Sequence, residues 1–307
     1  MNRQLQRLAP QPFIILTLLL LLPGSAAART DFASVKPVTE FRVTAPGGVN
    51  ISVQEWGNPD GPEIIFIHGL LQSHLAWWKQ ITDSVLARKF RMITFDLAGH
   101  GGSDKPYDPA VFNNGAHYAE TLNAVITSSR MKKPVLVGWS YGTRVVGDYL
   151  TKYGDSHIGG INFVGSAVNS DPKFVGPGSG FKGGVLSEDL VQSLKATREF
   201  NRGCFHTPPS EADLDQLTAI SMMVPSKIRQ WMKRAAFYEE TLKAIKVPVL
   251  VTHGVEDRVV RLGLAKYVVE TVPHAQASFY KNVGHSAFWE APGRFNRELA
   301  AFVQKAN

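Results

Sequence analysis

A serine lies between two glycines in the pentapeptide GWSYG at residues 138–142. The spacing G-x-S-x-G is typical of a sharp turn between a strand and a helix, which exposes the serine hydroxyl while the glycines let neighbouring backbone pass closely. The apolar run PVLV at residues 134–137 precedes the motif and a helix-like run follows it, so the surrounding sequence fits such a turn. Ser140 is therefore the predicted nucleophile, and a glycine-rich turn with an exposed serine is the alternative.

A serine hydroxyl needs a general base that a carboxylate orients, and with this motif the chain order is serine, acid, histidine. Asp257 and His285 each follow a short apolar run, in that order. Asp171 and Glu256 are the alternatives for the acid. Asp257 is preferred because it follows its strand by a short loop and precedes His285 by 28 residues, which is room for one helix and one strand.

Acyl transfer also needs backbone N–H groups aimed at the oxygen that becomes negatively charged. Tyr141, directly after the serine, is predicted to supply one of them. The loop HGL at residues 68–70 follows another apolar run, and Leu70 is predicted to supply the second. We expect His68 to bond the backbone of this loop.

Other chemistries find little support. The single cysteine, Cys204, excludes a disulfide framework, a thiolate zinc cluster and a CxxC pair. His206 lies near it in sequence, but a half-buried apolar role is the preferred interpretation of Cys204. The nine histidines show no HExxH or similar spacing. We therefore predict no metal and no cofactor.

The elements that must position these residues follow from the spacing of apolar side chains. Alternating runs at residues 39–44 and 50–56 predict a β-hairpin. Short apolar runs predict strands buried in a parallel sheet, at residues 63–67, 92–95, 134–137, 161–164, 249–252 and 277–280. Helix-like runs lie at residues 76–89, 116–129, 141–152, 262–271 and 292–305.

This alternation predicts an α/β fold with a mostly parallel central sheet and helices on both faces. Functional loops gather at the carboxyl ends of parallel strands, so the serine, acid and histidine are expected to meet there. One segment, about residues 167–245, contains no buried strand, has helix-like runs at 187–199 and 211–223, and ends near residues 226–243. It predicts a helical cap over the strand ends.

With these motifs the chain resembles the α/β-hydrolase family from about residue 39 to residue 305. The matching parts are HG at 68–69, DLAGHGGS at 96–103, the motif around Ser140, Asp257, and GHS at 284–286. The resemblance implies the α/β-hydrolase fold, with a helical cap that shapes the substrate pockets. We therefore expect the cap to select the substrate.

The type of nucleophile separates the activities that the resemblance implies. Haloalkane dehalogenases and epoxide hydrolases would have an aspartate at position 140, so Ser140 disfavours both. The leading hypothesis is a serine hydrolase that cleaves a small, largely apolar carboxylic ester through an acyl-enzyme intermediate. A carbon–carbon bond hydrolase or a cofactor-free perhydrolase or haloperoxidase on the same triad is the alternative. A non-catalytic ligand-binding protein is disfavoured, because every member of the triad is present.

Three aromatic residues near the predicted strand ends are candidates for the substrate pocket: Trp139, Phe288 and Trp289. Packing in the core is the alternative for each of them. The expected partner is a small-molecule ester or related acyl compound. No feature of the sequence specifies an oligomeric state.

The first 28 residues predict a secretory signal peptide. Two arginines precede an apolar run at 13–22, and AAA at 26–28 offers cleavage after Ala28 or Ala27. Ten apolar residues are about half of what a spanning helix needs, so a permanent anchor is disfavoured. We expect a periplasmic or secreted protein.

The rest of the chain, residues 29–307, is expected to form one α/β-hydrolase domain that contains the cap. The whole chain is 44% hydrophobic and 19% charged, which is typical of a folded globular protein and excludes disorder and coiled coil. Without the leader, 31 basic residues face 26 acidic ones, and the basic residues are scattered. This excludes a nucleic-acid-binding stripe.

Overall fold

The structure is a computed structural model, and it describes residues 30–32, 34–180 and 183–306. The strands of this part of the chain are β1 (Thr39–Ala45), β2 (Val49–Gly57), β3 (Glu63–Ile67), β4 (Arg91–Phe95), β5 (Val135–Trp139), β6 (Gly160–Val164), β7 (Val249–Gly254) and β8 (Gln276–Tyr280). The helices are α1 (Trp78–Ile81), α2 (Ser84–Lys89), α3 (Pro109–Phe112), α4 (Gly115–Ser128), α5 (Tyr141–Tyr153), α6 (Leu190–Gly203), α7 (Glu211–Met222), α8 (Ser226–Trp231), α9 (Glu239–Lys243), α10 (Leu262–Thr271), α11 (Ala287–Glu290) and α12 (Pro292–Ala306).

One eight-stranded sheet forms the centre, in the order β1-β2-β4-β3-β5-β6-β7-β8. The hairpin β1–β2 is antiparallel, with Val43 opposite Ile51, and β2 pairs with β4 in the same sense. All pairs from β4 to β8 are parallel. Strands β5, β6 and β7 are buried along their whole length, as strands covered on both sides must be. The predicted hairpin and mostly parallel sheet are confirmed.

The helix predicted at residues 76–89 is instead broken into a 3₁₀ turn (His74–Trp77), α1 and α2. Asp83 causes the second break. Its carboxylate accepts the backbone N–H groups of Val85 and Leu86, both at 2.9 Å, and so caps a new helix start. A short polar side chain that bonds nearby backbone competes with helix continuation in this way.

Residues 226–243 form two helices, α8 and α9, separated by an extended segment. The backbone N–H of Ala236 donates to the hydroxyl of Ser170, and its carbonyl oxygen accepts the backbone N–H of Ser170. Phe237 forms an isolated β-bridge with Asn169. The chain leaves the helical conformation here to pair with the segment that follows β6. The other long helices lie close to their predicted positions.

The segment between β6 and β7, called the insertion below, contains α6, α7, α8 and α9. The guanidinium of Arg229 on α8 is buried and ties these helices together. It donates to the hydroxyls of Ser193 and Thr197 on α6 and to the carbonyl oxygens of Ser221 and Val224. A buried charge therefore holds several parts of the insertion through neutral acceptors.

None of the helices in the described ranges is long and apolar enough to cross a bilayer. The predicted signal peptide, residues 1–28, lies outside those ranges.

Candidate active site

Ser140 is the turn residue between β5 and α5, as the motif predicts. Its φ of 52° and ψ of −113° place a non-glycine residue at positive φ, which costs conformational energy and is typical of functional sites. Gly142 makes the turn possible, because a Cβ there would lie 2.3 Å from the carbonyl oxygen of Ile67. The Ser140 side chain is half-buried and borders a large cleft.

His285 and Asp257 meet at the carboxyl ends of the neighbouring strands. His285 Nδ1 lies 2.6 Å from Asp257 Oδ2, and both side chains are buried. The other oxygen, Asp257 Oδ1, accepts the backbone N–H groups of Val259 at 2.7 Å and Val260 at 2.9 Å. The carboxylate is thus held on one side by backbone and on the other by the imidazole.

The charge of this pair is also set by its surroundings. Burial alone raises the pKa of the Asp257 carboxyl, but the charge and the hydrogen bond of His285 outweigh it, so the pKa lies below its ordinary value. His253 contributes in the same direction, with Nε2 3.3 Å from Asp257 Oδ2. An ionised carboxylate favours the tautomer of His285 that carries its proton on Nδ1 and leaves Nε2 as a base.

The alternative acids point elsewhere. Asp171 pairs with Lys173 at 3.1 Å, and 38% of its side chain is exposed. Glu256 Oε2 accepts the backbone N–H of Val283 at 3.0 Å. The structure therefore brings Asp257, and neither of the other two, to His285.

The imidazole lies beside the serine turn. Trp139, the residue before Ser140, donates its indole N–H to the carbonyl oxygen of His285 at 2.9 Å, although 146 residues separate them in the chain. Within the described residues, His285 Nε2 is buried and has no hydrogen-bond partner, Ser140 included. Hydrogen bonds of this kind are often long before substrate binds and tighten in the complex.

Leu70 and Tyr141 line the same cleft as Ser140. Gly69 lets the loop of Leu70 lie directly against the serine turn, because a Cβ at Gly69 would be 3.2 Å from Ser140 Cβ. The structure thus places Leu70 and Tyr141, the residues predicted to supply the two N–H donors, beside Ser140 in the cleft.

His68 shapes this loop, as expected. Its Nδ1 lies 2.8 Å from the carbonyl oxygen of Gly69, and its Nε2 accepts the backbone N–H of Leu97 at 3.0 Å. These two contacts require a neutral ring with the proton on Nδ1, and burial lowers the pKa of His68 accordingly.

The cleft has a volume of about 540 Å³, and its lining is part apolar and part polar. The larger apolar side chains, called the apolar wall below, are Phe174, Val175, Phe200, Val259, Val260 and Leu264. The polar and basic residues, called the basic wall below, include Arg144, Asn169, Ser170, Lys233 and Arg234. A volume of this size is typical of sites for small molecules.

Trp139, Phe288 and Trp289 do not line this cleft, and their place in the substrate pocket stays a prediction. With Leu70 and others they surround a separate cavity of about 20 Å³, which has room for about one water molecule. All three are buried, and the rings of Phe288 and Trp139 pack with centroids 4.9 Å apart. Their position fits both interpretations, core packing and the wall of a pocket beside Leu70.

Cys204 also lines the small cavity and lies outside the cleft. It is buried, and burial raises the pKa of its thiol well above the ordinary value. The low-pKa environment of a nucleophilic cysteine is therefore absent there.

The basic wall was missed by sequence reasoning. Arg144 had a usable signal, because it follows Ser140 by four residues and therefore lies on the same face of α5, one turn on. For Lys233 and Arg234 the sequence contains no such signal, since their position depends on the break between α8 and α9. Across the described residues, no group of three or more His, Cys, Asp or Glu side chains is arranged to hold a metal ion.

A serine at a strand–helix turn, with a buried Asp–His pair at the ends of two further strands of the same sheet, can perform acyl transfer. The family model of the α/β-hydrolase fold matches residues 62–292. The chain belongs to the α/β-hydrolase family.

Among solved structures, this α/β-hydrolase is similar to a Burkholderia cenocepacia protein assigned as an aryl esterase. The two are 36% identical, with a TM-score of 0.84, over 87% of this chain and 99% of the other. It is also similar to the esterase RhEst1 from Rhodococcus sp. ECU1013, with 30% identity and a TM-score of 0.81 over 87% of this chain and 99% of that one.

A further relative is the bifunctional esterase/perhydrolase DCH of Acinetobacter calcoaceticus. It is 27% identical over 281 residues, which are 85% of this chain and 99% of the relative. Esterases thus recur among the relatives of this α/β-hydrolase, which indicates a hydrolase.

Proposed function

We propose that the protein is a serine hydrolase that cleaves a small carboxylic ester through an acyl-enzyme intermediate. The observation that carries this proposal is the 2.6 Å contact between His285 Nδ1 and Asp257 Oδ2, with Nε2 left unbonded beside the turn that presents Ser140. The esterase relatives support the same reaction.

In the proposed first step, Ser140 Oγ attacks the ester carbonyl while His285 Nε2 takes the hydroxyl proton. The N–H groups of Leu70 and Tyr141 stabilise the tetrahedral oxyanion. As that intermediate collapses, the carbon–oxygen bond to the alcohol breaks, and Nε2 gives its proton to the leaving oxygen. Asp257 stabilises the imidazolium without itself being protonated.

In the second step, water attacks the acyl group on Ser140. His285 takes a proton from this water and then returns it to Ser140 Oγ as the carboxylic acid leaves. The apolar wall of the cleft supports a substrate with an apolar portion, since burial of apolar surface provides binding energy.

The test combines labelling with turnover. The purified protein should react with a fluorophosphonate at Ser140 and hydrolyse 4-nitrophenyl acetate, and Ser140→Ala should do neither. Ser84→Ala, which changes an exposed serine on α2, is the matched control and should behave like the unchanged protein. A protein that binds esters but neither labels nor turns over would instead be a non-catalytic binding protein.

Perhydrolysis is the second candidate activity, and the similarity to the esterase/perhydrolase DCH favours it. Hydrogen peroxide in place of water would attack the same acyl group and release a peracid and free Ser140. Peracid formation from methyl acetate and hydrogen peroxide, with methanol as the leaving alcohol and absent in Ser140→Ala, tests this activity. A protein that hydrolyses esters without forming peracid would be an esterase alone.

We further propose that the protein is exported and that export removes residues 1–28. The short apolar run and the small residues at Ala26 to Ala28 support this. Intact mass of the exported protein should correspond to a chain that begins at Arg29, or at Ala28 for the alternative site. A chain that begins at Met1 and resists extraction from membranes would contradict export with cleavage.

A further inference from the structure

Three cationic side chains line the cleft beside Ser140: Arg144, Lys233 and Arg234. We call them the basic cluster. Among the described residues that line the cleft there is no aspartate or glutamate. A cleft for a neutral ester has no need of this charge, so the cluster requires its own explanation.

Arg144 is held close to the serine turn. It lies four residues after Ser140 on α5, a rise of about 6 Å along the helix axis. Its guanidinium donates to the carbonyl oxygens of Ala167 at 3.1 Å and Arg234 at 2.7 Å, and it lies over the Tyr141 ring at 5.6 Å from the centroid. These contacts orient the guanidinium beside the serine turn.

Arg234 has a carboxylate partner outside the lining. It forms an ion pair with Asp148, whose side chain is 6% exposed, and Asp148 also accepts the hydroxyl of Tyr238 at 2.6 Å. The carboxylate of Asp148 thus serves Arg234 behind the wall of the cleft. Three cations therefore face the cleft with one carboxylate close behind them.

Lys233 differs from the two arginines because its side chain is exposed at the cleft. It can move toward a bound anion at little structural cost. Positive charge in a cleft with apolar walls attracts anions more strongly than it does on an open surface.

We propose that the basic cluster binds a carboxylate carried by the ester substrate. This inference rests on the proposed esterase activity and names its substrate class: an ester whose acyl or alcohol part ends in a carboxylate. Charge-assisted hydrogen bonds from the arginines would fix that carboxylate while Ser140 attacks the ester bond. The apolar wall would then contact the hydrocarbon part between the two groups.

The substrates for the test are matched pairs that differ in charge. On the acyl side, 4-nitrophenyl hydrogen glutarate is compared with 4-nitrophenyl valerate, in which a methyl group replaces the carboxylate. On the alcohol side, 4-acetoxybenzoate is compared with its methyl ester. For each pair, the ratio of kcat/KM for the anionic ester to that for the neutral one is measured at pH 7 and low salt.

The key variants remove charge from the cluster. Lys233→Met should lower the ratio about threefold to fivefold in at least one pair, because an exposed ion pair contributes at most a modest affinity. Arg144→Gln, which keeps an amide donor, should lower it about tenfold. Lys132→Met is the control, because Lys132 is exposed in the turn before β5, at the end of that strand opposite Ser140.

Added salt should reduce the ratio for the unchanged protein, since ions screen exposed charges. The substrate pair whose ratio responds to salt and to the variants shows whether the acyl or the alcohol part of the substrate reaches the cluster. If Lys233→Met and Lys132→Met give the same ratio in both pairs, the inference is wrong. The same conclusion follows if salt has no effect on either ratio.

A binding measurement separates this inference from the esterase proposal. Ser140→Ala protein is titrated calorimetrically with 4-acetoxybenzoate and with its methyl ester. Tighter binding of the anion, weakened by a further Lys233→Met change, supports the cluster even if turnover is absent. Turnover of the neutral esters without tighter binding of the anion overturns the inference and leaves the esterase proposal intact.

Discussion

At the scale of single residues, the Asp257–His285 pair determines which atom of the site can accept a proton. The 2.6 Å contact occupies Nδ1 and leaves Nε2 next to the turn that carries Ser140. The carboxylate is itself fixed by two backbone N–H groups, so the imidazole has a rigid support. Two predictions follow, one for the nucleophile with its base and one for the acid.

The first concerns the nucleophile and the base. Ser140→Ala should lower kcat for 4-nitrophenyl acetate at least about a thousandfold, and His285→Ala should cost about as much. The double variant should lose little more, because both residues act in one step. Circular dichroism checks that each variant is folded, and additive losses in the double variant would show that the two residues do not share a step.

The second concerns the acid. Asp257→Asn should keep the fold but lower kcat by about ten-thousandfold, because an amide favours the wrong tautomer of His285. Asp171→Asn is the matched control and should have a far smaller effect, since Asp171 pairs with Lys173 on the surface. The reverse ranking in folded variants would assign the acid to Asp171.

At the scale of elements, the insertion depends on a buried cation. Arg229 is 1% exposed and donates to hydroxyl and carbonyl oxygens that come from separate parts of the insertion. Removal of the guanidinium would deprive the buried hydroxyls of Ser193 and Thr197 of this donor, and loss of a partner to a buried polar group costs more than the bond itself contributes. The insertion should therefore be the part of the molecule most sensitive to this residue.

We expect Arg229→Met to lower the free energy of unfolding by about 3 kcal/mol, a typical cost of breaking a buried network of charged hydrogen bonds. Urea denaturation measures the change. Lys227→Met on the same helix is the control. Lys227 forms an exposed pair with Glu188, and the change should have a far smaller effect on the free energy of unfolding. Equal effects of the two variants would contradict a structural role for the buried cation.

The same scale shows what could be predicted from the sequence. Strands β3 to β8 and the turn at Ser140 depend on local apolar runs and glycines, which are visible in the chain. The break between α8 and α9 depends on the bonds between Ala236 and Ser170, which are distant in sequence. Lys233 and Arg234 of the basic wall lie in that break and were therefore missed. Large aromatic residues such as Trp289 fit a pocket and a core equally well by composition, so sequence alone did not separate the two.

At the scale of the whole molecule, acid should weaken the fold through a buried histidine. Burial is the main cause that lowers the pKa of His100 to about 3. The unfolded chain binds a proton near pH 6.5, whereas the folded protein does so only near pH 3. The stability that neutral His100 contributes is therefore present above about pH 6.5 and is lost as the pH falls toward 3.

Between pH 6 and pH 4, this residue should reduce the free energy of unfolding by roughly 1.4 kcal/mol per pH unit. His100→Gln should show a shallower loss over the same interval in urea denaturation. His274→Gln, which changes an exposed histidine, should keep the slope of the unchanged protein. Parallel curves for all three proteins would show that His100 does not titrate in this way.

The hydrogen bond from Trp139 to the carbonyl oxygen of His285 also has a consequence for the timing of synthesis. It joins residues 146 positions apart, so a growing chain presents the serine turn long before the ribosome has made its base. Strands β7 and β8 must then add to the edge of β6 before Asp257 and His285 reach the turn. A nascent chain therefore contains the nucleophile throughout about the second half of elongation, yet gains the ability to activate it only near the end.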